Sequence, residues 1–142
     1  MIKSVNLGEE IVITTKNKVG IMADIATMLA NQGVNIEAVS GYESGKTAKL
    51  MLVTNANLRI VGELRKKGYR SLKETEVVLV ELENKPGALK VVTTELKKKH
   101  IDITYIYITS SYFGPSSRLV MRTSDNEKAM ALLTKYLENN SR

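Results

Sequence analysis

The sequence contains no cysteine. That absence excludes disulfides and thiolate chemistry and fits a reducing compartment. His100 is the only histidine. A lone imidazole cannot assemble a metal cluster without other soft ligands, and no neighbouring nucleophile is named for a catalytic dyad. HExxH, GxSxG and a phosphate-binding Gly-Lys-Ser/Thr run are all missing. No apolar stretch approaches the length of a membrane span. Met1-Ile2-Lys3-Ser4-Val5-Asn6 opens no run long enough for a signal peptide. The expectation is a soluble cytoplasmic protein that is not an enzyme, needs no cofactor or metal, and does not enter a membrane.

Charge of one sign is only mildly in excess, at +6. Arg65-Lys66-Lys67 and Lys97-Lys98-Lys99 could form phosphate-binding patches. Both runs lie where a helix should end, and cations there complement the helix dipole. No aromatic residue is interleaved with either, so the dipole reading is preferred. Asp24, near an expected helix start, reads the same way.

What is present is a repeat. Lys16-Asn17-Lys18-Val19-Gly20 returns as Glu83-Asn84-Lys85-Pro86-Gly87, an offset of 67 (84 minus 17). Each turn follows an apolar strand, Ile11-Val12-Ile13 or Val78-Leu79-Val80. Each precedes a helical pattern and then Val34-Asn35-Ile36 or Ile101-Asp102-Ile103. In the first helix Met22, Ile25, Ala26 and Leu29 share a face. Gly33 stands where a left-handed cap is wanted, and His100 takes its place in the second repeat.

The spacing predicts strands over Val34–Tyr42 and Lys49–Thr54, with a turn region over Gly41–Lys46. A helix carrying Leu58, Val61 and Leu64 follows, capped by Asn55 or Asn57 and closed by Gly68. The second repeat runs in parallel. Leu89, Val92 and Leu96 line a helix, and Ile101–Thr109 and Arg118–Thr123 are strands. Phe113-Gly114-Pro115-Ser116 is the break between them. Ser124 with Glu127 makes a capping box for a helix carrying Ala129, Met130, Leu133 and Tyr136.

Each repeat thus reads β-α-β-β-α, one strand short of a ferredoxin-like β-α-β-β-α-β unit. Tyr69–Glu74 can supply that strand to the first repeat. Ile2–Leu7 is a spare strand matching it at the same offset: Lys3 with Arg70, Ser4 with Ser71, Val5 with Leu72, Glu9 with Glu76. The expected modules are 1–68, completed by strand 69–74, and 69–142, completed by strand 2–7. In the alternative, each leading strand folds back as a hairpin, with a turn at Gly8.

Gly20 and Gly87 stand where a strand hands over to a helix. Glycine there permits positive φ and close approach of a ligand. The first amides of the helix have no partner within it and suit a carboxylate. Asn17 and Asn84 can orient the turn or donate to a ligand. Asn35 and Asp102 could receive an ammonium. Turns of this kind also occur for geometry alone.

These residues resemble the ACT domain family, small amino-acid-sensing modules attached to many biosynthetic enzymes. Glu83-Asn84-Lys85-Pro86-Gly87-Ala88-Leu89 with Ile101-Asp102-Ile103 is close to the family's opening. Asn17-Lys18-Val19-Gly20-Ile21-Met22 with Gly33-Val34-Asn35-Ile36 is similar. The resemblance covers nearly the whole chain, as two modules without a catalytic domain. It implies an α+β fold of two ferredoxin-like modules packed side by side, with a ligand held at the seam; the permuted leading strand read above departs from the family's pattern. It places Asn17, Val19, Gly20, Ile21 and Met22, and Asn84, Pro86, Gly87, Ala88 and Leu89, against that ligand. Asn35 and Asp102 carry over as strand-opening positions. Serine-sensing relatives carry a His two residues before the motif Asn; Thr15 and Leu82 stand there instead.

Tyr105 and Tyr107 alternate with Ile106 and Ile108, so both faces of that strand are apolar and both are expected to be covered. A tyrosine hydroxyl could reach a ligand pocket. Tyr42 and Tyr112 fall near loops. The leading functional reading is a regulator that binds a free amino acid and signals to a partner enzyme or other protein through a change in module or chain arrangement, as a homo-oligomer such as a homodimer. An RNA-binding module shares the topology but lacks an aromatic-rich RNP run, Phe113 being the only phenylalanine. An acylphosphatase-like enzyme would need a turn arginine where Lys18 and Lys85 stand. A structural regulatory subunit with empty pockets is the remaining alternative.

Overall fold

The computed structural model describes residues 1–137. Residues 138–142 of the expected second module lie outside the described residues. Six strands and four helices follow in the order β1 (Ile2–Lys16), α1 (Ile21–Asn31), β2 (Ile36–Ser44), β3 (Thr47–Thr54), α2 (Asn57–Lys66), β4 (Ser71–Glu83), α3 (Ala88–Lys98), β5 (Ile103–Ser110), β6 (Ser116–Thr123) and α4 (Asn126–Thr134). The fold is α+β, with the βαββαβ plan in each half. The chain forms two compact units, Glu9–Thr75 and Met1–Gly8 with Glu76–Arg142. We call them the Glu9 module and the Glu76 module.

Strands β1 and β4 are each continuous, and Gly8 lies inside β1. No turn occurs there, so the hairpin arrangement is absent. Adding a Cβ at Gly8 would bring it to 2.6 Å from Leu79 Cδ1. Glycine at that point leaves room for the Leu79 side chain.

In the Glu9 module the strand order is β2-β3-β1-β4. Antiparallel register sets Ile11 opposite Leu52 and Ile13 opposite Leu50. Directly opposed residues share a face, and these four enter one buried cluster with Ile25, Leu29, Ile60 and Leu64 of the helices. Tyr69, just before β4, and Leu72, within it, pack against the same cluster. The Glu76 module repeats the order as β1-β4-β6-β5. Val78 faces Met121 and Val80 faces Leu119, and Ile2 is fully buried among them and Val92, Leu96 and Leu133. Val5 and Leu7 pack against the same cluster. Leu137, just past α4, makes an isolated parallel bridge to Ile2.

The helix faces agree with the sequence pattern at Ile25, Leu29, Leu64, Val92, Leu96, Ala129 and Leu133 and differ mainly near the helix ends. Ile21, Ile25, Met28 and Leu29 are the buried residues of α1, while Met22 is partly exposed. Ile60 and Leu64 are buried in α2, and Leu58 is 86% exposed. Ala88, Val92 and Leu96 are buried in α3 with Leu89 at its rim. Ala129, Leu132 and Leu133 are buried in α4; Tyr136 lies beyond its end and donates to the carboxylate of Glu95 on α3, holding that carboxyl below its ordinary range.

Three helices end in the same way. Gly33 N–H bonds Ala30 O at 3.0 Å and Val34 N–H bonds Leu29 O at 2.9 Å. Gly68 with Tyr69, and His100 with Ile101, repeat the pair. This is the Schellman cap, which needs a left-handed residue. Gly33 and Gly68 have φ of 67° and 95°, and His100 has φ of 55°. A non-glycine residue is strained there, so His100→Gly is expected to stabilise the protein by about 0.5–1 kcal/mol. A denaturant midpoint that rises with unchanged slope would show it; a fall would mean that the imidazole makes a compensating contact.

The expected caps of α2 and α4 differ from those observed. Asn57 Oδ1 accepts from Thr54 N–H and Thr54 Oγ1, while its Nδ2 donates to Glu9 O at 2.8 Å. Asn126 does the same with Thr123 and Glu76 O. Each Thr-x-x-Asn therefore clamps a strand end and a helix start to the residue where its module begins, Glu9 or Glu76. For α4 the cap is Asp125, which accepts from Lys128 N–H at 3.0 Å. Ser124 instead accepts from Asp102 N–H at 3.0 Å, so the expected Ser124–Glu127 box does not form.

On β5, Ile106 and Ile108 lie opposite Met121 and Leu119, and Tyr105 and Tyr107 opposite Arg122 and Val120. The two tyrosines are half-buried with rings stacked at 6.5 Å. The isoleucines are 38% and 41% exposed. The expectation that both faces of this strand are covered is corrected: β5 is an edge strand, and its isoleucine face lies open at the rim.

Candidate functional site

Both predicted turns form, and both helices open on glycine. Gly20 has φ 92° and ψ 1°, and Gly87 has φ 90° and ψ −12°. Neither helix start receives a side-chain cap. The first intrahelical bond of α1 runs from Asp24 N–H to Gly20 O at 2.9 Å. The amides of Ile21, Met22 and Ala23 precede that ladder, carry the positive end of the helix dipole, and suit an anion. In α3 the ladder begins with Val91 N–H to Gly87 O, and Ala88 N–H turns back to Lys85 O at 3.3 Å.

The first residue of each helix points inward and the second outward. Ile21 and Ala88 are 5% and 4% exposed, and Met22 and Leu89 are 36% and 37% exposed. Val19 is fully exposed and Pro86 is exposed. An apolar rim thus flanks each set of amides.

The motif asparagines are committed within the protein. Asn17 N–H donates to Lys46 O at 2.8 Å, and Asn17 Nδ2 donates to Glu43 Oε2. Asn84 N–H donates to Pro115 O, and its Nδ2 donates to Ser111 O at 2.8 Å and Gly114 O at 3.0 Å. Ser117 Oγ completes the set on Asn84 Oδ1. Each asparagine fastens its glycine turn to the hairpin of the next two strands. Glu43 therefore lies beside the first turn, a carboxylate the sequence pattern did not nominate. Beside the second turn lies the segment Ser111–Pro115, whose Tyr112 and Phe113 meet edge to face at 4.7 Å and are more than 90% exposed.

Asn35 and Asp102 are exposed but stand elsewhere in their modules. Each follows the far end of an 11-residue helix that the glycine begins, and such a helix is about 16 Å long. Within one module they are not brought to the glycine turn. Asp102 instead has its backbone N–H and O tied to Ser124.

The two turns differ in surroundings. A Cβ built on Gly20 meets nothing within 4 Å, whereas one on Gly87 meets Met1 Cε at 3.7 Å. Glu83 N–H donates to Met1 O at 2.8 Å, and Lys85 Nζ pairs with Glu83 at 2.5 Å. The Gly20 turn is open, and the Gly87 turn is partly filled by its own chain. Among the described residues no helix is long and apolar enough to cross a membrane. Among the same residues no group of three His, Asp or Glu side chains could hold a metal ion.

Residues 10–61 match the ACT domain family. A comparison with curated proteins finds no match. Among solved structures, protein BT0572 from Bacteroides thetaiotaomicron superposes with a TM-score of 0.84 at 22% identity, over 93% of this chain and 90% of that one. The regulatory subunit of aspartate kinase from Thermus thermophilus, in a ligand-free form, gives 0.67 at 14% identity over 97% and 100%. Its counterpart from Thermus flavus gives 0.61 at 14% identity over 96% and 99%. At these identities the likeness is one of fold, and it extends over both modules. Residues 10–61 thus match the ACT domain family, and the glycine turn and the βαββαβ plan of that stretch return in the Glu76 module.

Proposed function

We propose that this chain is a regulatory protein that binds a free amino acid at the Gly20 turn. The observation that carries this reading is the uncapped, open start of α1. The ligand's carboxylate takes the amides of Met22 and Ala23, where the helix dipole favours negative charge. Its ammonium lies within the reach of Glu43, which already accepts from Asn17. Val19 and Met22 flank the side chain. The likeness to aspartate kinase regulatory subunits supports a partner enzyme that reads the bound state. For that, the ligand must favour one arrangement over another by a real difference in affinity.

The test is a thermal-shift screen against the twenty amino acids. A ligand at about a hundred times its dissociation constant adds about 2.7 kcal/mol to stability, enough to raise Tm visibly. Absence of any shift at millimolar concentrations would remove the amino-acid reading and leave the structural subunit as the better account.

A further inference from the structure

A cavity of about 490 Å³ lies in the Glu9 module between α1 and α2, lined by Lys18, Asp24, Asn31, Glu63, Lys67 and Tyr69 among others. Its volume is in the range of small-molecule sites. What sets it apart is unspent polarity. Glu63 is paired with Lys66 at 3.3 Å. The side chains of Lys18, Asp24, Asn31 and Lys67 make no hydrogen bond or ion pair among the described residues. Tyr69 is fixed because its ring packs against the core. Burial, and after it the charge of Asp24, hold its hydroxyl above the ordinary range.

The unpaired charges facing the cavity are two lysines and one aspartate. An inorganic anion would satisfy the lysines but meet repulsion from Asp24. A lone cation would satisfy Asp24 and be repelled by Lys18 and Lys67. A ligand with one ammonium and two acidic groups satisfies all three. We propose that this cavity is a binding site for a small aminodicarboxylate, with its ammonium on Asp24 and its acidic groups on Lys18 and Lys67. Tyr69 and Asn31 supply neutral hydrogen bonds. The site shares no proposed ligand contact with the Gly20 turn and stands independently of it.

The probe is L-glutamate, titrated into the isotopically labelled full chain and followed by amide chemical shifts. Saturable shifts are expected at Asp24, Asn31, Lys67 and Tyr69. Removing one charge-assisted contact, by Asp24→Asn or Lys67→Met, should weaken binding by about tenfold or more. Both side chains are exposed, so the fold should persist, and circular dichroism checks it. Glutarate, which lacks the ammonium, should bind weakly and gain rather than lose affinity in Asp24→Asn. Shifts confined to residues 20–23 would overturn the cavity site while leaving the turn reading intact. Binding that both variants leave unchanged, or no saturable shift at millimolar L-glutamate, would also overturn it.

Discussion

Deleting residues 2–7 is expected to unfold the Glu76 module while the Glu9 module keeps its structure. Ile2 is fully buried in a cluster whose other members begin at Val78. Val5 and Leu7 cover that cluster, Lys3 Nζ donates to Ser116 Oγ at 2.8 Å, and Glu83 N–H is satisfied by Met1 O. Truncating one buried isoleucine to alanine costs about 2–5 kcal/mol, and a small domain has only about 5–15 kcal/mol in hand. Loss of the whole segment also strips a hydrogen-bonded neighbour from β4. Hydrogen exchange should therefore show protection lost across residues 76–137 and retained in α1, β3 and α2. Ile2→Ala should give the same pattern in milder form. Loosening confined to residues 9–75 would sink the idea.

Gly20→Val is expected to abolish the amino-acid response, whereas Gly87→Val is expected to leave it. Both positions have φ near 90°, so both substitutions carry a similar backbone cost of about 1–3 kcal/mol. The pair therefore separates stability from binding. At Gly20 the added side chain also projects into open space beside the free amides of α1, where the ligand carboxylate would sit. At Gly87 the neighbouring space already holds Met1. Thermal melts with and without the ligand found in the screen would read both effects at once. The reverse result, a response lost at Gly87 and kept at Gly20, would move the site to the second turn.

Much of this architecture is legible in the sequence because glycine marks backbone states that side chains resist. Gly20, Gly33, Gly68 and Gly87 all have positive φ, and His100 could be placed by repeat position alone. The helix faces were less legible. Their phase depends on where the first turn begins, and the turns deliver Ile21 and Ala88 inward. Met22 and Leu89 accordingly point outward. Asn57 reads in the sequence as an ordinary helix-start residue, and Asn126 carries no local signal of its own. Their partners, Glu9 O and Glu76 O, lie 48 and 50 positions away, beyond any local pattern. Ser124 reads as the cap of α4, but a bond to Asp102 engages it, and the adjacent Asp125 caps the helix instead. At the candidate site, the turn residues could be named from sequence. Glu43 could not, because it reaches the turn only through the hairpin contact with Asn17.

The shared strands impose an order on biosynthesis. A ribosome that has released Thr75 has supplied every residue of the Glu9 module. Residues 1–8 emerge earlier still, yet their neighbours in β6 and α4 are translated near the end. The apolar segment 2–7, made before the Glu9 module, thus finds its sheet only after that module is complete, through contacts as far along the polypeptide as Leu137.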